Sequence, residues 1–174
     1  MSQEQAQAQR AADEVDALVE AWRRERPDLD VAPLEVLSRV TRLSRHLDLA
    51  RREAFETHGL EPWEFDVLAA LRREGAPYAL SPGRLLQVTL VTSGTMTNRI
   101  DRLAAKGLVE RVPDPNDGRG VQVVLTVEGR SRVDHALDDL LAHERAILAA
   151  LTATDRERLA DLLRRLTIPF DNAG

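Results

Sequence analysis

Toward the N-terminal end of residues 92–106 the residues that can do chemistry are small or hydrogen-bonding: Ser93, Gly94, Thr95, Thr97, Asn98 and Arg99. They interleave with Met96, Ile100 and Leu103, whose spacings of four and three place the apolar set on one face of a helix and leave the small and polar set opposite. Such a face gives backbone room to approach a surface and offers donors and acceptors to base edges and phosphates, which is what a helix entering a major groove needs. Ser and Thr here also serve as helix caps, and this segment alone leaves both readings open. A second feature shifts the balance. Arg119, flanked by Gly118 and Gly120, sits in a run dense in breakers (residues 113–120), where a guanidinium on a hairpin tip can reach a neighbouring minor groove.

The elements that would position these residues follow from periodicity. Val15, Leu18, Val19 and Trp22 form an amphipathic stripe over about residues 11–24, ended by Pro27. A longer stripe runs from Pro33 through Leu37, Val40 and Leu47 to Phe55, and a third helix carries Trp63, Val67, Leu68 and Leu71. Ser81-Pro82 reads as an N-cap and first helical residue of a short helix, and Thr92 as the cap of the next; two short helices joined by a tight turn make a helix-turn-helix. The period then changes to two at residues 108–112 and 121–125, a hairpin with a long tip over 113–120. A long helix follows Thr126 and continues to Leu151; a last one opens at Thr154, where Glu157 completes a capping box, and runs to Leu166. The fold class is therefore mainly α with a small β-hairpin wing. Residues 61–126 form the winged helix-turn-helix, 33–60 and 127–174 long helices flanking it, and 1–32 an N-terminal helix with a disordered start.

Composition bounds the function. The chain has 174 residues, enough for one compact domain or a small domain with an oligomerisation module. Aromatics at 3% favour aliphatic helix packing over an all-β core. Cysteine is absent, which excludes disulfides, thiolate metal sites and thiol redox switching. No apolar run approaches the roughly 18 residues of a membrane span, so a soluble, cytoplasmic protein without membrane association is expected. The net charge of -5 argues against a polyanion partner, but residues 84–132 carry a basic excess of three on an otherwise acidic chain. No cofactor is implied.

The runs Thr92 to Leu103, Lys106-Gly107-Leu108-Val109-Glu110-Arg111, Asp114-Pro115-Asn116-Asp117-Gly118-Arg119 and Leu125-Thr126 with Gly129-Arg130 closely resemble the recognition helix and wing of MarR-family regulators, over about residues 34–166. The resemblance implies a homodimer in which residues 33–60 and 127–174 form a helical dimerisation region with interleaved terminal helices, presenting two recognition helices to a pseudo-palindromic operator on double-stranded DNA. It assigns DNA contacts to Ser93, Thr95, Thr97, Asn98, Arg99 and Arg119. Gly120 departs from the family, many members of which carry a second polar residue there; a weaker wing contact follows. The added N-terminal helix resembles the urate-responsive branch, whose signature of one Trp, one Asp and two Arg is met here by Trp22, Asp66, Arg99 and Arg111. That set implies a small anionic ligand, urate or another purine, or a tricarboxylate, whose binding displaces the recognition helix and relieves repression. Two plainer accounts stand beside it: Trp22 as a dimer-core anchor, and Asp66 with Arg99 as a fixed ion pair.

Other functions have less support. An enzyme needs a nucleophile beside a base or a metal cluster, and His46, His58, His135 and His143 lack ligand-like spacing. His135 and His143 read as solvated surface groups. A winged-helix module that binds protein in place of DNA is the alternative that the acidic total charge favours.

Overall fold

In a computed structural model the described residues are 12–89, 93–115 and 117–171, without the side chains of Ser93, Asp117 and Arg119. Thr92, expected as a cap, lies outside them, as do residues 1–11. The chain divides into two compact units, residues 1–49 and 50–174.

The first unit holds α1 (Glu14–Glu25) and the leading part of α2 (Ala32–Glu56). Asp13 caps α1: its carboxylate accepts from the Val15 and Asp16 amides, while Asp16 accepts in return from the Asp13 amide at 2.8 Å. Val15, Val19 and Val31 are buried with Leu34 packed against them, so half of the predicted apolar stripe forms a small core. The other half, Leu18 and Trp22, stays about half exposed. Ion pairs supplement so small a core. Arg39 grips Asp13 with two N–H groups (2.8 and 2.9 Å) and Asp16 with one (2.8 Å), and Arg23 and Arg42 reach Glu35 and Glu14 at 2.5 Å.

The second unit is built from α3 (Pro62–Glu74), β1 (Ala79–Leu80), α4 (Pro82–Thr89), α5 (Ser93–Ala105), β2 (Val109–Asp114), β3 (Asp117–Leu125), α6 (Val127–Ile147), a 3-10 turn (Leu148–Ala150) and α7 (Ala153–Asp171). Its sheet is antiparallel in the order β1-β3-β2. The mainly helical fold with a small hairpin is the expected one. The core joins Phe55, Val67, Leu68 and Leu71 to Leu85, Met96, Ile100, Leu103, Leu108, Val123 and Val133. Phe55 and Phe65 stack with centroids 4.0 Å apart.

Four expectations are corrected. Strand β1 is additional to the expected elements, because two residues are too short to show a period; it adds to β3 through Ala79–Val124 and Leu80–Val123 pairing. The wing has no long tip: Val112–Gln122 and Pro113–Val121 extend the ladder to Asp114–Asp117, and Pro113 is accommodated beside a register shift. Arg119 therefore lies within the span of β3, between the residues paired with Pro113 and Asp114. The helix after Thr126 ends at Ile147, and the cap of α7 is Thr152, two residues ahead of Thr154: its hydroxyl accepts from the Asp155 amide at 3.2 Å and donates to the Asp155 carboxylate at 2.6 Å. The same Thr-x-x-acid spacing occurs at both positions, and periodicity does not choose between them.

Thr126 caps α6 by accepting from the Gly129 amide at 2.9 Å, and its own amide donates to the Leu108 carbonyl at 3.1 Å. Gly129 lies so close to that carbonyl that an added Cβ would stand 2.0 Å from the oxygen. Gly129→Ala is expected to force the start of α6 away from the root of the wing and cost about 1–3 kcal/mol or more, read as a lower urea midpoint at unchanged m-value.

In the first unit, the Arg39 hydrogen bonds hold the Asp13 carboxyl below its usual range. A lowered folded-state pKa contributes stability that is present above the ordinary Asp value of about 4 and is lost as pH falls through the lowered one. Acidification through that window is expected to loosen α1, seen in its amide NMR signals, and Arg39→Gln should remove this acid dependence; an unchanged acid profile in Arg39→Gln would refute the assignment.

Candidate nucleic-acid interface

The fold fixes which face of α5 is available. Met96, Ile100 and Leu103 are at most 1% exposed, while Gly94, Thr95, Thr97 and Asn98 are exposed and Arg99 is half-buried. The side chains of Ser93 and Arg119 lie outside the described ones. The helix ends through Gly107 at φ +69°: Leu108 N–H donates to Leu103 O (3.0 Å) and Gly107 N–H to Ala104 O (2.9 Å). This is a Schellman close, and it needs the left-handed conformation glycine adopts without strain. Immediately before it, Lys106 Nζ reaches the carboxylate of the fully buried Glu64 at 2.7 Å. One oxygen of Glu64 also accepts from the Glu61 amide at 3.0 Å, whereas Oε1 has the ammonium beside it without a directed hydrogen bond. Removing Lys106 would leave a buried, uncompensated charge, so this pair pins the end of α5 to the start of α3.

Beside the exposed face lies an arrangement absent from the sequence reading. Trp63, at the start of α3, carries the Arg99 guanidinium 5.3 Å and the Arg102 guanidinium 4.8 Å from its ring centre. The indole N–H donates to Glu61 at 2.6 Å, and Arg102 donates to the other Glu61 oxygen at 2.7 Å. These bonds, the indole's first, hold the Glu61 carboxyl below its usual range. Trp63, Gly94, Thr95, Asn98, Arg99 and Arg102 line an open concavity of about 440 Å3. Periodicity assigns Trp63 wholly to the apolar face of its helix. The available signal is the Arg99–Arg102 spacing of three, which puts both cations on one edge of α5.

The other predicted ligand residues are engaged separately. Asp66 pairs with Arg51 at 2.8 Å, and Arg51 lies over the Phe55 and Phe65 rings. Asp66 also lines a cleft of about 170 Å3 with Arg73, Val88 and Thr89. Arg111, on β2, pairs with Asp101 of α5 at 2.8 Å and so ties wing to helix. Asp66, Arg99 and Arg111 thus have three different partners, and no ion pair joins Asp66 to Arg99. Trp22 belongs to the other unit. Neither Arg51 nor Arg73 is among the expected site residues. His143 is half-buried, its Nδ1 3.3 Å from the Ala50 carbonyl, which corrects its reading as a solvated surface group; His135 is exposed. No cluster of three or more metal-ligating side chains occurs among the described residues, and none of the described helices is long and apolar enough to cross a membrane.

The sequence pattern of the MarR family matches residues 58–120. The transcriptional regulator PecS of Dickeya dadantii is 39% identical over 153 residues, covering 88% of this chain and 92% of PecS. Among solved structures, a cysteine-to-serine mutant of Escherichia coli MarR complexed with operator DNA superposes with a TM-score of 0.65 at 28% identity, over 79% of this chain and 98% of that one. Bordetella bronchiseptica BpsR, whose DNA binding is regulated by 6-hydroxynicotinic acid, superposes with a TM-score of 0.61 at 28% identity, over 76% and 92%. Family pattern, near full-length likeness and fold agree: the chain belongs to the MarR family of winged helix-turn-helix transcriptional regulators, not to a family of enzymes.

Proposed function

We propose that the chain is a homodimeric, operator-binding repressor released from DNA by a small anionic metabolite. The observation that carries the DNA reading is the exposed, small and polar N-terminal half of α5 set against a fully buried opposite face. In this reading residues 61–126 are the DNA reader. Ser93, Thr95, Thr97 and Asn98 face the major groove, Arg99 flanks it, and Arg119 on β3 reaches the adjacent minor groove. Residues 33–60 and 127–174 bring two copies together, and half-exposed apolar side chains on α6 and α7 (Leu137, Leu141, Leu162, Leu163 and Leu166) suit that task. BpsR supports the ligand reading by likeness, as a relative in fold whose DNA binding a small aromatic compound regulates.

The ligand set is Trp22, Asp66, Arg99 and Arg111. Two guanidiniums suit a purine-like anion or a tricarboxylate equally well, and each already has a partner that an incoming anion could replace. Release requires the ligand to bind the DNA-free arrangement more tightly than the DNA-bound one. Arg99 and Arg111 suit that demand: one lies on α5 and the other ties β2 to it, so exchange of either contact acts on the element that reads DNA.

A salt-sensitive mobility shift with the promoter region beside the protein's own gene tests the DNA reading. Asn98→Ala is expected to weaken the cognate duplex by about 1–3 kcal/mol while sparing an unrelated duplex. Absence of any shift would favour a winged-helix module that binds protein. For the ligand, titration of urate, xanthine and tricarboxylates is expected to release wild-type protein from that duplex and to raise its melting temperature, with both effects lost in Arg111→Ala and Asp66→Asn. If none of the compounds alters binding in wild type, the anionic-metabolite reading fails.

A further inference from the structure

Thr95, Asn98, Arg99 and Arg102 stand at positions i, i+3, i+4 and i+7 of α5, one continuous stripe along a single edge of the helix. That edge borders the concavity against Trp63. Two guanidiniums brought this close repel one another, and the structure offsets the repulsion twice. The indole face lies 4.8 and 5.3 Å from the two cations, and the Glu61 carboxylate binds both the indole N–H and Arg102. Among the described residues Arg99 has no carboxylate partner, and Arg102 spends one N–H on Glu61. The remaining forks, with the Asn98 amide beside them, match the geometry of a phosphate oxygen pair. Gly94 leaves the concavity open at the N-terminal end of the stripe, where an added Cβ would meet nothing within 4 Å.

We propose that this concavity seats a phosphodiester of the DNA backbone, with Arg99 and Arg102 as its ligands and Trp63 as the residue that positions them. The inference rests on the DNA reading above and extends it to a contact at the edge of the recognition helix that carries no base information. A phosphate seat fixes the register of α5 on the duplex and leaves sequence discrimination to the neighbouring face. Trp63 acts through the two arginines rather than on DNA itself. Glu61 keeps Arg102 extended along the ring before DNA arrives and yields part of that contact to the phosphate.

The experiment measures binding of operator and unrelated duplexes by fluorescence anisotropy over a salt series, for wild type, Arg102→Gln, Trp63→Phe and Trp63→Leu. Arg102→Gln is expected to weaken both duplexes by the same factor and to reduce the slope of log affinity against log salt by about 0.9. Trp63→Leu should weaken both about threefold to tenfold, while Trp63→Phe, which keeps an aromatic face, stays near wild type. Arg102 is half-exposed, so its substitution remains informative even where Trp63→Leu fails to fold. An unchanged salt slope in Arg102→Gln, or a loss confined to the operator, overturns the seat. A folded Trp63→Phe as weak as Trp63→Leu overturns the positioning role. In a separate arm inorganic phosphate is titrated into DNA-free protein at constant ionic strength. Thermal stabilisation that Arg102→Gln abolishes, with the DNA salt slope unaltered, would assign the site to a free anion and overturn the backbone proposal. Wild type that binds no duplex defeats the DNA reading itself, whereas wild type that binds with an Arg102-independent slope defeats only this inference.

Discussion

The Leu108 carbonyl is the point on which the interface depends. The Leu108 amide closes α5 by bonding back to Leu103, and its carbonyl accepts from Thr126 at the end of the wing. Gly129 presses against that same carbonyl at a distance only glycine allows. The Thr126 hydroxyl donates to Gly107 O at 2.8 Å, completing a knot in which the last turn of α5, the root of the hairpin and the first turn of α6 share one set of backbone groups. None of the three can rotate or slide alone. Helix α5 therefore presents one face to solvent by construction, and the salt bridge from Lys106 to buried Glu64 adds a second anchor one residue away.

A fixed end makes the rest of α5 readable as a surface. With Met96, Ile100 and Leu103 committed to the core, the helix has an outer face of small and polar groups and an edge of two arginines. The chain as a whole is acidic, so any attraction to a polyanion has to be local. Two guanidiniums share one indole and the single carboxylate of Glu61, which leaves a surplus of positive charge where the helix meets its neighbour, whereas the arginine tied to Asp101 is compensated one for one. Charge placement, not net charge, decides what such a surface attracts.

Much of this is legible in the sequence because it is written in short periods and caps. The 3.6-residue stripe defines the buried face of α5, and Thr126, Ser81 and the Gly107 stop mark element ends. Trp63 is not legible in full: an aromatic at the start of an amphipathic helix looks like core, and only the fold shows two cations from another helix on its ring. Asp66 and Arg51 lie on different helices and 15 residues apart, a pairing that no periodic pattern reports. The wing tip misleads for a related reason. Breaker residues mark where a chain can turn, yet β3 extends to Asp117, which pairs with Asp114 after a register shift beside Pro113 that takes up residues 118–120.

The two arginines of the platform differ in what holds them, and the difference bears on how α5 could be switched. Arg102 is held by a ring and a carboxylate, with a directed bond at 2.7 Å. Arg99 is held by the ring, a contact that is broad in geometry and worth about 0.5–1 kcal/mol at an exposed site. A ligand anion competing for Arg102 must displace a directed ion pair; one competing for Arg99 gives up only a weakly directional contact. Arg99 is thus the group whose partner can change at least cost, and it sits halfway along the helix that the Leu108 knot holds rigid. A pull on Arg99 would act on the half of α5 that lies ahead of its fixed C-terminal end, so a small anion needs no path through the core to disturb the helix's fit to a groove.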